Sequence, residues 1–145
     1  MSDVTIPHSI IALTFYALWA IALVIMIAAD RVLMVASGKS GIGDFTPGTK
    51  HGSDSYWRIN RAHLNTLENL PIFAALVLAG WVAGLDTPTF NMLAVVTVCA
   101  RVVQSVIHIA SGSALAINFR FTALLVQLVC EIWMGVLILQ AAHVI

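Results

Sequence analysis

Along the chain, apolar residues gather into four long blocks, and the polar residues between them are few. The first block, residues 6–36, carries no charged side chain until Asp30 and Arg31 near its end. Residues 37–56, SGKSGIGDFTPGTKHGSDSY, are rich in Gly, Ser, Asp and Lys and read as one solvated loop. The second block covers 56–83. Its first half is polar on one side, and its second half, LPIFAALVLAGWVAG, is uniformly apolar, with Pro71 placed to kink a helix. GLDTP makes a short second loop, and Pro88 suits the first turn of a helix over 89–110. A loop around SGSALAIN leads to the last block, 119–143. A membrane-crossing helix needs about 20 apolar residues, which each block supplies. The pattern predicts an all-α protein, an integral membrane four-helix bundle, as a single transmembrane domain over residues 1–145.

Composition agrees. Of 145 residues, 60% are hydrophobic and only 10% charged, with a mean hydropathy of +0.95, far too apolar for a soluble domain of this size. The N-terminal segment has no positive region ahead of its apolar run, and that run outlasts a signal peptide's, so it reads as a retained first span. Net charge is zero, but all seven Lys and Arg (Arg31, Lys39, Lys50, Arg58, Arg61, Arg101, Arg120) fall in or near the first and third loops. The positive-inside rule then puts those loops in the cytosol and both termini on the other side. A bacterial inner membrane and an endoplasmic reticulum both fit. Cys99 and Cys130 lie within apolar segments and read as small hydrophobes. The five histidines show no spacing such as HxxxH, so no metal centre is expected. Without a basic stripe interleaved with aromatics, no nucleic-acid partner is expected either.

Charged groups in a bilayer cost about 2.5 to 3.5 kcal/mol each, so they should face a bundle interior or a wet cavity. At about 100° per residue, Arg58, Arg61, Asn65 and Glu68 share one face of the second helix. Arg101, Gln104, Ser105 and His108 share a face of the third, and Arg120, Leu124, Gln127 and Glu131 a face of the fourth. Counting about 1.5 Å per residue puts Glu68, Arg101 and Glu131 at roughly 15 to 18 Å depth, near the midplane of a ~30 Å core. Asn65, Gln104 and Gln127 form a shallower layer, and Arg61, His108 and Arg120 sit near the cytosolic surface. The stripes describe a polar cleft open to the cytosol and closed at depth by carboxylates and arginine. The deepest layer also fits a purely structural role as interhelical glue. At the mouth, Arg61, Arg120, Arg31 and His108 supply an excess of donors suited to a small anion bearing carboxylates. A solvated rim or a phospholipid-headgroup contact remains open for the same arginines.

The segment RINRAHLNTLENLPIF, 58–73, resembles the signature of the MAPEG family, the membrane-associated proteins of eicosanoid and glutathione metabolism. Arg61, Ala62, His63, Asn65, Glu68, Pro71 and Phe73 carry the likeness. ARVVQSVIHI resembles the family's third-helix Ala-Arg motif, and Arg120 the arginine that opens the fourth helix. The resemblance implies a homotrimer in which glutathione, the co-substrate, binds between neighbouring subunits near the cytosolic side. Arg61, Asn65 and Glu68 match residues that hold the glutathione peptide, Glu68 by pairing with the peptide's ammonium group. Arg120 matches the arginine near the thiol, and Arg31 one contributed by the neighbouring subunit, which makes these two the candidate catalytic residues. His63 points away from the Arg61 stripe by about 160°, as a side chain reaching an adjacent subunit would. Gln104 and His108 complete the candidate glutathione site. Several family members have tyrosines where this chain has Asn69, Gln104 and His108, and His108 can substitute as a donor. Leu64 stands where the prostaglandin synthase branch has arginine.

The implied activity is therefore glutathione transfer or peroxidation on a lipophilic electrophile dissolved among membrane lipids, rather than prostaglandin isomerisation. A cysteine-type thiol has a pKa of about 8.5, and a nearby guanidinium stabilises its thiolate. The protein need only position that anion and exclude water. From another class, a small proton-coupled or multidrug transporter would use Glu131 as its titrating carboxylate, although the Arg61 stripe would repel cationic drugs. A structural membrane subunit would need neither.

Overall fold

The computed structural model describes residues 6–46, 48, 50 and 52–144. It contains four long helices, α1 (His8–Ala36), α2 (Asp54–Val82), α3 (Pro88–Ala110) and α4 (Ala114–Ala141), and no strand among the described residues. Residues 1–5 and 145 of the expected domain, and Pro47, Thr49 and His51 of the expected first loop, lie outside the described residues. All four helices are long and apolar enough to cross a membrane.

Local chemistry sets the boundaries. Ser53, Thr87 and Ser113 each accept the backbone N–H three residues ahead, from Tyr56 at 3.1 Å, Phe90 at 3.2 Å and Ala116 at 3.2 Å. Such caps satisfy one of the free N–H groups at a helix start. They correct two expected limits. α2 begins at Asp54 rather than 56, and α4 at Ala114 rather than 119, so the Ala-Leu-Ala-Ile run expected in a loop is the first turn of a helix. The helix ends are closed by left-handed residues, Gly38 after α1 (φ 69°), Gly84 after α2 (φ 72°) and His143 after α4 (φ 56°). In each case the next N–H reaches back a full turn, as Lys39 does to the Met34 carbonyl at 3.0 Å. α2 continues through Pro71, whose missing N–H removes one intrahelical bond.

α3 packs along α4, α1 lies against α2 and α3, and α2 also touches α4. At the end away from the basic residues, the Asn91 side chain accepts the Ser9 N–H at 2.9 Å and donates to Asp86 at 2.6 Å, tying the start of α1 to the start of α3. The interior has three levels. One apolar cluster holds Ala12, Tyr16, Phe73, Val77, Phe90, Ala94, Val98 and Met134. Another, at the basic end, holds Ile27, Tyr56 and Ile59, with Met34, Phe45 and Ile109 against them. Between them lies a polar level: Thr66, Asn69, Thr97, Arg101, Gln104, Ser105, Gln127 and Glu131 are all buried. Outward positions such as Phe15, Ile25, Leu78, Val103, Val129 and Ile132 are exposed and apolar. That is the surface a hydrocarbon solvent accepts at no cost.

Candidate functional site

The buried polar level is a hydrogen-bonded network with few loose ends. Asn69 donates to a Glu131 carboxylate oxygen at 2.7 Å. The Gln104 side-chain oxygen accepts from Arg101 Nη1 at 2.8 Å and from Gln127 at 3.1 Å, while its amide donates to the Arg120 carbonyl at 3.1 Å. Tyr16 donates to the Thr66 carbonyl at 3.2 Å, and the Thr66 and Ser105 hydroxyls lie 3.4 Å apart. Arg101 Nε and the Gln127 side-chain oxygen are buried without a partner among the described residues. α3 and α4 thus turn their expected stripes inward.

α2 does not. Its inner face is Tyr56, Ile59, Ala62, Thr66, Asn69, Phe73, Val77 and Gly80, all buried at three- and four-residue spacing. Arg61 and Glu68 lie roughly 120 to 150° from the middle of that face and are exposed, with Asn65 nearer to it and half-buried. The expected deep layer of Glu68, Arg101 and Glu131 therefore does not form within the subunit. Asn69 takes the place assigned to Glu68, and Glu131 is held by an amide. The one ion pair among the described residues is Lys50 with Asp54, at 2.6 Å where α2 begins.

At the basic end, part of the expected mouth lies together. Arg120, Arg61 and Arg58 all act electrostatically on the half-buried His108. Arg58 Nε donates to the Ile109 carbonyl at 2.9 Å, setting a cation on the last turn of α3, where the helix dipole favours it. No carboxylate pairs with these guanidinium groups among the described residues. An apolar groove of 380 Å³ between α3 and α4 reaches Ile107 and Phe119, the sequence neighbours of His108 and Arg120.

Two candidates lie elsewhere. Arg31, at the end of α1, donates from Nε to the Tyr56 hydroxyl at 2.7 Å and sits 5.3 Å from the Phe45 ring centroid and 6.0 Å from that of Tyr56. His63 lies on the flank of α2 facing α1, in an apolar groove of 320 Å³ with Ala17, Ala20, Ile21, Val24, Leu67 and Leu70, and its Nδ1 is buried without a partner among the described residues. Tyr56, Phe45 and Asn69 were not among the candidates. For Asn69 the signal was available: it continues the run of Ala62, Thr66 and Phe73. The loop position of Phe45 gave no such signal.

Residues 9–140 match the sequence model of the MAPEG family. The chain belongs to the MAPEG family. Membership and the four apolar helices together make it an integral, multi-pass membrane protein. It also ties the protein to glutathione-related transferases and peroxidases or to eicosanoid metabolism. No curated protein matches this MAPEG chain at a significant level.

Proposed function

We propose that the protein is a glutathione-dependent membrane transferase or peroxidase acting on hydrophobic electrophiles. The observation that carries this reading is positive charge without a paired carboxylate among the described residues at the basic end, where Arg58, Arg61 and Arg120 bear on His108 and an apolar groove reaches the neighbouring Ile107 and Phe119. Glutathione carries two carboxylates and a thiol, and an excess of guanidinium groups at an interfacial cleft suits such an anion. Arg120 stabilises the thiolate. The thiolate sulfur then forms a bond to an electrophilic carbon that arrives through the bilayer, and the leaving group departs with its bonding pair.

Arg61, Asn65 and Glu68 would grip the peptide on an outward flank of α2, with His108 near the same end of the bundle, while Gln104, buried in the interior network, would act from behind the site by fixing the start of α4 through the Arg120 carbonyl. In a homotrimer, His63 and Arg31 would complete the site from the neighbouring subunit. The basic end would face the cytosol, by the positive-inside rule, in a bacterial inner membrane or an endoplasmic reticulum.

The test is calorimetric titration of the purified full-length protein with glutathione, alongside the ultraviolet absorbance of the thiolate. Binding with a thiolate band at neutral pH is the expected result, weakened severely in Arg120→Ala and Arg61→Ala. Absence of binding at millimolar glutathione overturns the reading.

A further inference from the structure

A guanidinium on a long, flexible side chain is useful to a reacting anion only when something holds it. Arg31 is held twice. Its Nε donates to the Tyr56 hydroxyl at 2.7 Å, and its guanidinium carbon lies 5.3 Å from the centroid of Phe45, within range of a cation–π contact. Both holders are themselves fixed. Tyr56 is 1% exposed, its N–H is bound by Ser53, and it packs with Ile27 and Ile59. Phe45 follows the tight turn Ile42–Asp44, in which the Asp44 carboxylate accepts the Gly41 N–H at 2.7 Å. The two rings lie 6.3 Å apart, inclined at 57°.

What remains of Arg31 is its Nη edge. Neither Nη group makes a hydrogen bond among the described residues, and no carboxylate pairs with the side chain there. Among the described residues Arg31 is the sole polar side chain lining an open cavity of 560 Å³ whose other walls are Val32, Val35, Ala36, Ile42 and Phe45. A planar cation fixed through Nε and stacked on a ring presents its remaining N–H donors as a fork, the arrangement that grips an anion at least entropic cost.

We propose that Tyr56 and Phe45 are positioning residues, which hold Arg31 with its Nη edge turned toward the glutathione anion. The first loop then serves the site through Phe45 rather than as a solvated connection. This inference rests on the glutathione reading and adds residues that reading did not contain.

The experiment measures glutathione affinity by calorimetry, the ultraviolet thiolate band, and kcat and KM separately with a soluble aryl halide, on the full-length protein in detergent. Tyr56→Phe keeps the ring and removes the acceptor. Phe45→Leu keeps an apolar side chain and removes the cation–π contact, and Phe45→Tyr returns the ring. Expected is a loss of thiolate band and kcat of about tenfold in Tyr56→Phe, because the lost bond is to a charged group, with a melting midpoint still well above the assay temperature. A smaller loss is expected in Phe45→Leu, largely restored in Phe45→Tyr. In an Arg31→Ala background, Tyr56→Phe should add nothing. Wild-type binding with unaffected variants, or a Tyr56→Phe effect that persists without Arg31, overturns the proposal and leaves the glutathione reading standing. No binding by the wild type overturns that reading, and this one with it.

Discussion

Asn69 and Glu131 meet at 2.7 Å in the middle of the bundle, with Glu131 only 4% exposed. A buried carboxylate without a donor is among the most costly groups a membrane protein can contain. Asn69→Leu should therefore lower stability by about 1 to 3 kcal/mol, read as a lower melting midpoint in detergent. Glu131→Gln keeps an oxygen for Asn69 to donate to, so it should change stability by less than about 1 kcal/mol and leave glutathione turnover near wild type. A proton-coupled transporter predicts the reverse, with Glu131→Gln abolishing function. The same pair shows where sequence reading stops. The stripes on α3 and α4 were legible because Arg101, Gln104, Gln127 and Glu131 are polar residues in otherwise apolar runs. On α2, the polar residues Arg61 and Glu68 point outward while Ala62, Phe73 and Gly80 mark the interior. Lipid is as apolar as a bundle core, so hydrophobic periodicity alone does not say which face of a membrane helix is inside.

At the scale of the helix, number and order were readable from four apolar blocks, while ends depended on single side chains. Ser113 starts α4 five residues early by accepting the Ala116 N–H, and nothing in the apolar run itself marks that point. Ser113→Ala should cost about 1 kcal/mol and fray the first turn, measured by faster amide exchange over residues 114–117. Pairing of α2 with α3 depends on a glycine. A Cβ at Gly80 would overlap the ring of Phe90, which is completely buried and has no room to move. Gly80→Val should therefore destabilise the bundle by about 1 to 3 kcal/mol, as overpacking does. Phe90→Leu in the same chain should recover part of that loss, whereas the single change Phe90→Leu should destabilise. Equal melting midpoints for Gly80→Val with and without the second change would show that the two helices do not meet at this point.

A lone subunit leaves charge where lipid would be. Arg61 and Glu68 are exposed on one flank of α2, and His63 lines an apolar groove on the other. At the depth of Glu68 a charge facing hydrocarbon costs about 2.5 to 3.5 kcal/mol, which favours covering that flank with another subunit. Because the two flanks differ, a contact between them would join unlike surfaces of identical chains, and such contacts form rings when the rotation between neighbours closes. The proposed homotrimer is a ring of this kind, with Arg120 on one side of each boundary and Arg31 on the other. Arg120→Ala and Arg31→Ala protomers should each form trimers with little activity. Co-expressed in equal amounts, they should regain activity. A boundary is intact only when the Arg31→Ala chain lends its Arg120 and the Arg120→Ala chain lends its Arg31, which random mixing gives at about a quarter of the boundaries. Turnover of the mixture, normalised to wild type, should approach that fraction. If both arginines acted within one subunit, no boundary in the mixture would hold an intact pair, and activity would stay at the level of the separate variants.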